Sequence, residues 1–416
     1  MRKGIFVKLL VPFLAVVFLM GFSATTVAKT IKIGGIMDTT GATSDVGKDY
    51  ALGMAEAFKY INTKGGINGK KVKYTWFDYG YRIPEAITKY KLLKRLGAVV
   101  IMGWGTGDTE ALSPTVNKDQ IPYVSASYSA HLTDPNKSRY NLFFSSDYST
   151  NARACLTAWF DKKWPKHPDY GKRKPRFACS YHFAHPYCSA PIKAVKNHAE
   201  VLGFEVGEDV SVTLFALDTK SQVMALKKFE PDLVFHGNTT MSVSATLRDA
   251  YALGLKADHI INNWGFDENL PRLAGEALDK LVVLGATPCA FFGQEYPNMD
   301  IVVESAKKYN PGVPLSKRLI RTIQAWGDAL ITWEALKRAD KAGDMTGHGI
   351  MVKGFETMRN YVIGLGASPI TFTSGDHRPT TGCLVQEWKD GKFQEVERVD
   401  IKARWPKEWA KEWHGW

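Results

Sequence analysis

Two strand-to-loop junctions concentrate side chains and backbone able to hold a small polar solute. The first runs from Val99 to Met102 into Gly103-Trp104-Gly105-Thr106-Gly107-Asp108-Thr109, a glycine turn that opens a helix. Glycines there let backbone amides approach a ligand, and a helix start favours negative charge. Thr106 and Thr109 add hydroxyl donors, so a ligand carboxylate suits this turn. The second junction, Ile121–Ser125, ends in Ser125, Ser127 and Ser129, interleaved with Ala126 and Tyr128. Side by side, the two would form a polar anchoring wall, although serine and glycine are also ordinary loop residues. A dinucleotide site is the competing reading of the first turn. Its glycines are spaced Gly-x-Gly-x-Gly rather than Gly-x-Gly-x-x-Gly, and the turn lies outside the first strand–helix unit. Gly-x-Ser-x-Gly, Walker and His-Glu-x-x-His motifs are missing from the sequence, so catalysis has no sequence support.

Positioning such loops requires strands that end together. Short apolar runs predict strands at 31–36, 72–77, 99–102, 123–125, 176–180, 210–215, 233–236, 259–262 and 281–286. Amphipathic stretches predict helices at 49–64, 83–96, 190–202, 221–228, 242–253 and 318–339. Alternation of this kind predicts an α/β fold with parallel sheets, and it occurs in two runs divided near residue 146. Asn68-Gly69 marks a tight turn after the first helix. Ligands of open parallel sheets sit beyond the carboxyl ends of the strands, which here would be a cleft between two lobes.

Residues 1–28 pair Arg2, Lys3 and Lys8 with an apolar run from Leu9 to Phe22 and a small-residue exit at Thr26-Val27-Ala28. This pattern predicts a cleaved signal peptide and a soluble protein outside the cytoplasm. Loss of that segment lowers the formal charge from +12 to +9. The basic runs Lys162-Lys163 and Lys172-Arg173-Lys174 lie in or beside the Pro-rich loop Trp164–Pro175 and read as solvated rather than nucleic-acid-binding. Of five cysteines, Cys179 and Cys188 could bridge within one loop, and an odd total leaves one thiol unpaired. No spacing suggests a metal site or a cofactor. Trp405, Trp409 and Trp413 recur every four residues near the C-terminus, which places three indoles on one helix face. Such a face either docks on its own body or meets a partner.

The chain resembles extracytoplasmic solute-binding proteins of ABC importers in the branched-chain amino-acid (Leu/Ile/Val) binding family. The resemblance rests on Ile31–Gly35, Thr40-Gly41, Gly65–Lys71, the Gly103–Thr109 turn, Gln120-Ile121-Pro122, His182–Tyr187, Pro231–Phe235, Leu247–Gly254 and Gly382–Phe393. It implies a type I periplasmic binding fold: two Rossmann-like lobes joined by three crossing strands, closing on a solute by a hinge. The implied bounds are residues 29–146 with 286–366 for one lobe, 147–285 with 367–398 for the other, and 399–416 as a Trp-rich tail.

By position, the resemblance assigns Thr106, Thr109, Ser127 and Ser129 to the ligand carboxylate, Tyr187 to a covering tyrosine of the second lobe, and Thr239 or Thr240 to an aromatic-wall position. The family's acid for an α-ammonium falls at Trp264, and its aromatic near the first glycine turn falls at Val46. Trp104, Trp264 and Phe266 therefore suit a carboxylate with an apolar or aromatic body at least as well as an amino acid. The implied protein is a monomeric periplasmic binding subunit, not an enzyme, that hands its solute to an inner-membrane permease and ATPase. A membrane-receptor sensor of the same fold and an exported α/β enzyme are the alternatives.

Overall fold

The computed structural model describes residues 30–413, together with Met1. The expected signal peptide lies outside the described residues. Among those residues, no helix is long and apolar enough to cross a membrane.

Among the described residues, thirteen strands form two sheets. The first holds β1 (Ile31–Met37), β2 (Val72–Asp78), β3 (Val100–Gly103), β4 (Tyr123–Ser125) and β5 (Asn141–Leu142) in the order β2-β1-β3-β4-β5. All of its pairings are parallel, with Ile33 of β1 opposite Tyr74 of β2 and Val100 of β3. The second sheet contains β6 (Arg176–Tyr181), β7 (Glu205–Val206), β8 (Val210–Ser211), β9 (Leu233–His236), β10 (Asp258–Ile261), β11 (Val283–Thr287), β12 (Gly382–Lys389) and β13 (Lys392–Asp400). Its order is β13-β12-β11-β10-β9-β6-β7, with β8 also on β6, and only the β11-β12-β13 edge is antiparallel. Sequence periodicity missed β5, β7, β12 and β13, and β8 covers only two of the six residues expected there. The short strands carry too few residues for a period to show. β13 is largely solvent-facing and charged.

The chain passes between the sheets three times. It leaves the first sheet after β5, returns after β11 to helices Met299–Tyr309 and Ile320–Lys341, and rejoins the second sheet at β12. Expected lobe boundaries at 286 and 399 fall inside β11 and β13. The largest apolar cluster runs from the first sheet through the region between the sheets to Tyr187, Trp264 and Phe266, so the two bodies are in contact. The Asn68-Gly69 turn has both residues at positive φ, 49° and 88°, and pairs Ile67 with Lys70.

All five cysteines are buried and free, so the Cys179–Cys188 bridge that the sequence allows is not formed. Cys179 points into the core of the second sheet, whereas Cys188 belongs to the cluster at the interlobe contact, so the thiols face different cores. The tryptophan tail docks on its own body: Trp409 and Trp413 are buried there.

A buried ion network fastens helix Ser44–Thr63 to helix Ile320–Lys341 and its lead-in. Arg318 meets Glu56 at 2.7 Å and Asp49 at 2.9 Å, and all three side chains are almost without exposure. Removing one partner would strand the others in a low-dielectric interior. Arg318→Met should therefore lower unfolding stability by about 3–5 kcal/mol, measured by urea denaturation. A loss below about 1 kcal/mol would show that water or rearrangement satisfies Asp49 and Glu56.

Candidate functional site

A small cavity of about 20 Å³ opens at the carboxyl ends of β3 and β4, between the two sheets. From the first-sheet side it is lined by Thr43, Val46, Tyr81, Trp104, Gly105, Thr106 and Ala126, and it is completed by Tyr148, Tyr187, Thr239 and Trp264. None of these side chains is ionised at neutral pH, so the walls are aromatic and hydroxylic.

Local structure explains the arrangement. β3 ends at Gly103, and the helix Thr106–Asp119 starts at once, with Gly105 as its extended cap residue. A Cβ on Gly105 would lie 2.6 Å from both the Tyr79 hydroxyl and the Tyr81 ring, so only glycine lets these tyrosines close over the turn. Tyr81 itself sits at φ +54°, a left-handed conformation that costs a bulky residue roughly 1–3 kcal/mol. Its ring stacks on His185 from the second-sheet side, with centroids 5.2 Å apart.

Trp104 is held by its indole N–H, which donates to Thr43 Oγ1 at 2.8 Å, and the Thr43 hydroxyl in turn donates to Asp38 at 2.8 Å. Trp264, carried by the loop after β10, inserts among residues of the opposite side. Its ring lies 4.9 Å from Trp104, 5.8 Å from Tyr128 and 6.4 Å from Tyr50. Its N–H donates to the Tyr148 hydroxyl at 3.1 Å, which donates to the Ala126 carbonyl at 3.1 Å. The Arg321 guanidinium stands 4.8 Å over the Trp264 ring and 3.1 Å from Asp267.

Two carboxyls border the cavity without lining it. Burial pushes Asp108 up to about 7, against the opposing hydroxyl of Tyr79 and the amides of Gly105 and Asp108. The Asp108 carboxyl accepts from the Tyr79 hydroxyl at 2.6 Å. Burial and then nearby Asp267 push Asp45 up to about 6, while Arg321 and the Thr239 hydroxyl pull it down. Asp45 is on the first-sheet side and Thr239 caps a helix on the second, so this pair spans the contact.

Of the residues expected from sequence, Trp104, Thr106, Tyr187, Thr239 and Trp264 come together around the cavity. Four others do not line it. The Thr109 hydroxyl is spent on the Gly105 carbonyl at 2.6 Å, one helical turn back. Ser127 stands behind Thr106 and donates to its hydroxyl at 3.0 Å. Ser129 faces Glu110 at 3.5 Å. Phe266 packs into the core against Phe393 and Phe291, at 5.0 and 5.7 Å, over Gly285. Sequence reading missed Thr43, Tyr81 and Tyr148 altogether. Tyr148 begins a helix directly after the first crossing, a position with no periodic signature.

One further group of potential metal ligands among the described residues, His167, Asp169 and Asp232, lies far along the chain from this cavity. Arg173 already forms ion pairs with both carboxylates, at 2.7 and 2.6 Å.

Residues 30–392 match the family model described as periplasmic binding protein. The Leu/Ile/Val-binding protein of Escherichia coli K12 is 24% identical over 300 residues, covering 70% of this chain and 77% of that protein. An ABC-transporter substrate-binding protein from Aeropyrum pernix is 30% identical with TM-score 0.79, over 90% of this chain and 96% of that one. A branched-chain amino-acid ABC transporter protein from Thermus thermophilus, solved with bound valine, superposes with TM-score 0.81 at 23% identity, over 91% and 98% of the two chains. The chain therefore belongs to the periplasmic binding protein family, among the substrate-binding proteins of ABC transporters.

Proposed function

We propose that this protein captures one small solute in the interlobe cavity outside the cytoplasm and releases it, unaltered, to a membrane permease. The two lobes comprise residues 29–146 with the stretch after β11 to 366, and 147 to the end of β11 with 367 to the end of β13. Residues 1–28 direct export and are removed. The observation that carries this reading is the cavity itself: both sheets contribute walls, and Trp264 reaches across to pack on Trp104. A solute touching both sides favours closure by the difference of its affinities for the closed and open forms.

Between the ligand classes, a carboxylate with an aromatic or aliphatic body fits better than an α-amino acid. Trp264 offers one N–H, already donated to Tyr148, and no charge for an ammonium. Thr106, Tyr187 and Thr239 supply neutral hydrogen bonds at the polar end, and Trp104, Val46 and Trp264 supply apolar cover. The names of the relatives support the amino-acid alternative, so both classes belong in one thermal-shift screen. Turnover of a bound solute would overturn the transport reading in favour of an enzyme.

With the best solute from that screen, Thr106→Val should raise Kd about tenfold, the worth of one hydrogen bond to a charged group. Tyr187→Ala should cost about 1 kcal/mol or more by calorimetry, and unchanged affinity would remove Tyr187 from the site. The Asp45 carboxyl gives a pH dependence of definite sign. In this arrangement burial and nearby Asp267 hold the Asp45 proton at about 6, above the ordinary value of 3.8, so exposure of Asp45 on opening of the cleft would release it. Affinity should rise as pH falls from 7.5 towards 5, and Asp45→Asn should flatten the profile. An identical slope in wild type and variant would assign the dependence elsewhere.

A further inference from the structure

The tryptophan tail ends beyond the stretch that matches the family, at residue 392, and its contacts converge on the crossing segments. Asp147, at the end of the first crossing, caps helix Tyr148–Lys162 by accepting from the Thr150 amide and hydroxyl at 2.9 and 2.7 Å. Arg378, in the third crossing, meets the same carboxylate at 2.6 Å, and both side chains are buried. Its neighbour His377 is anchored on the first-sheet side, with its amide donating to the Thr133 carbonyl at 3.0 Å and its ring 3.1 Å from Glu356. Two of the three connections between the lobes are thus joined by one ion pair.

None of the three side-chain nitrogens of Arg378 has an aligned hydrogen-bond acceptor among the described residues. Besides the Asp147 carboxylate, the Trp409 ring covers its charge, 4.4 Å away. Arg153, farther along the capped helix, lies under the Trp413 ring at 4.5 Å. The π faces of two indoles thus lie against two buried guanidiniums beside the Asp147 carboxylate. The tail is pinned where it does this. The Trp413 N–H donates to Asn197 at 2.7 Å, His198 stands edge-on between Trp405 and Trp413 at 4.7 and 5.0 Å, and Arg404 pairs with Asp161 at 2.5 Å.

We infer that the C-terminal segment is a brace on the hinge: its indoles hold the Asp147–Arg378 pair and thereby bias the lobes towards the closed arrangement. Trp409 is then a positioning residue for closure that touches no solute. The inference does not depend on which solute is bound, so its test needs none.

Amide hydrogen exchange on the full chain without ligand provides the readout, comparing wild type with Trp409→Ala and the milder Trp409→Phe. Exchange in segments 143–147 and 377–382 should quicken by about fivefold in the alanine variant and less in the phenylalanine variant, with helix Ile320–Lys341 unchanged. Scattering should show a larger radius of gyration for the unliganded alanine variant. Uniform acceleration along the whole chain, or unchanged exchange in the two segments, would overturn the inference and leave the tail a stabilising appendage. Should the alanine variant fail to fold, the phenylalanine variant decides between the same outcomes.

Discussion

The Trp264 indole is the contact on which the arrangement depends. It is fixed at the end of β10, yet its ring packs against Trp104, Tyr128 and Tyr50 from the opposite sheet, and its N–H is committed to Tyr148. One side chain thereby joins the two sheets, roofs the cavity and sets its polarity. Burial of a large aromatic gives such a contact energy without requiring charge. Arg321, paired with Asp267 behind the ring, supplies the positive charge that the indole face prefers.

A neutral, aromatic cavity has consequences for recognition. Charged residues crowd its surroundings, but each is engaged with the chain itself. Asp38 holds the Thr43 loop, Asp108 accepts from the Tyr79 hydroxyl, and Asp267 holds Arg321 and Thr240. Selection among solutes then rests on shape, on the aromatic faces and on a few hydroxyls. Asp45 lies near Asp267 across the contact, a like-charge approach that Arg321 and Thr239 only partly offset.

Much of the fold was legible in the sequence because its central strands are apolar runs bounded by glycine turns. β1, β2, β9 and β10 lie within a residue or so of their expected limits. Strands of two residues have no period to detect, and the β12–β13 edge hides its strand character behind polar side chains. The site was half legible. Trp104 and Thr106 follow from the glycine turn, whereas Tyr81 and Tyr148 come into place only through tertiary geometry. Thr109 and Ser129 misled because hydroxyl composition does not reveal direction: one bonds back along its own helix, the other faces Glu110. The tail indoles read correctly as one face, but the guanidiniums they cover lie more than 30 and 250 residues away in sequence, at Arg378 and Arg153.

Small-angle scattering across a titration with the best-binding solute examines the two-lobed clamp most directly. The account predicts a fall in radius of gyration that saturates at one solute per chain and reverses on dialysis, with the solute recovered intact. Saturable binding with no contraction, or recovery of a chemically altered product, would contradict it.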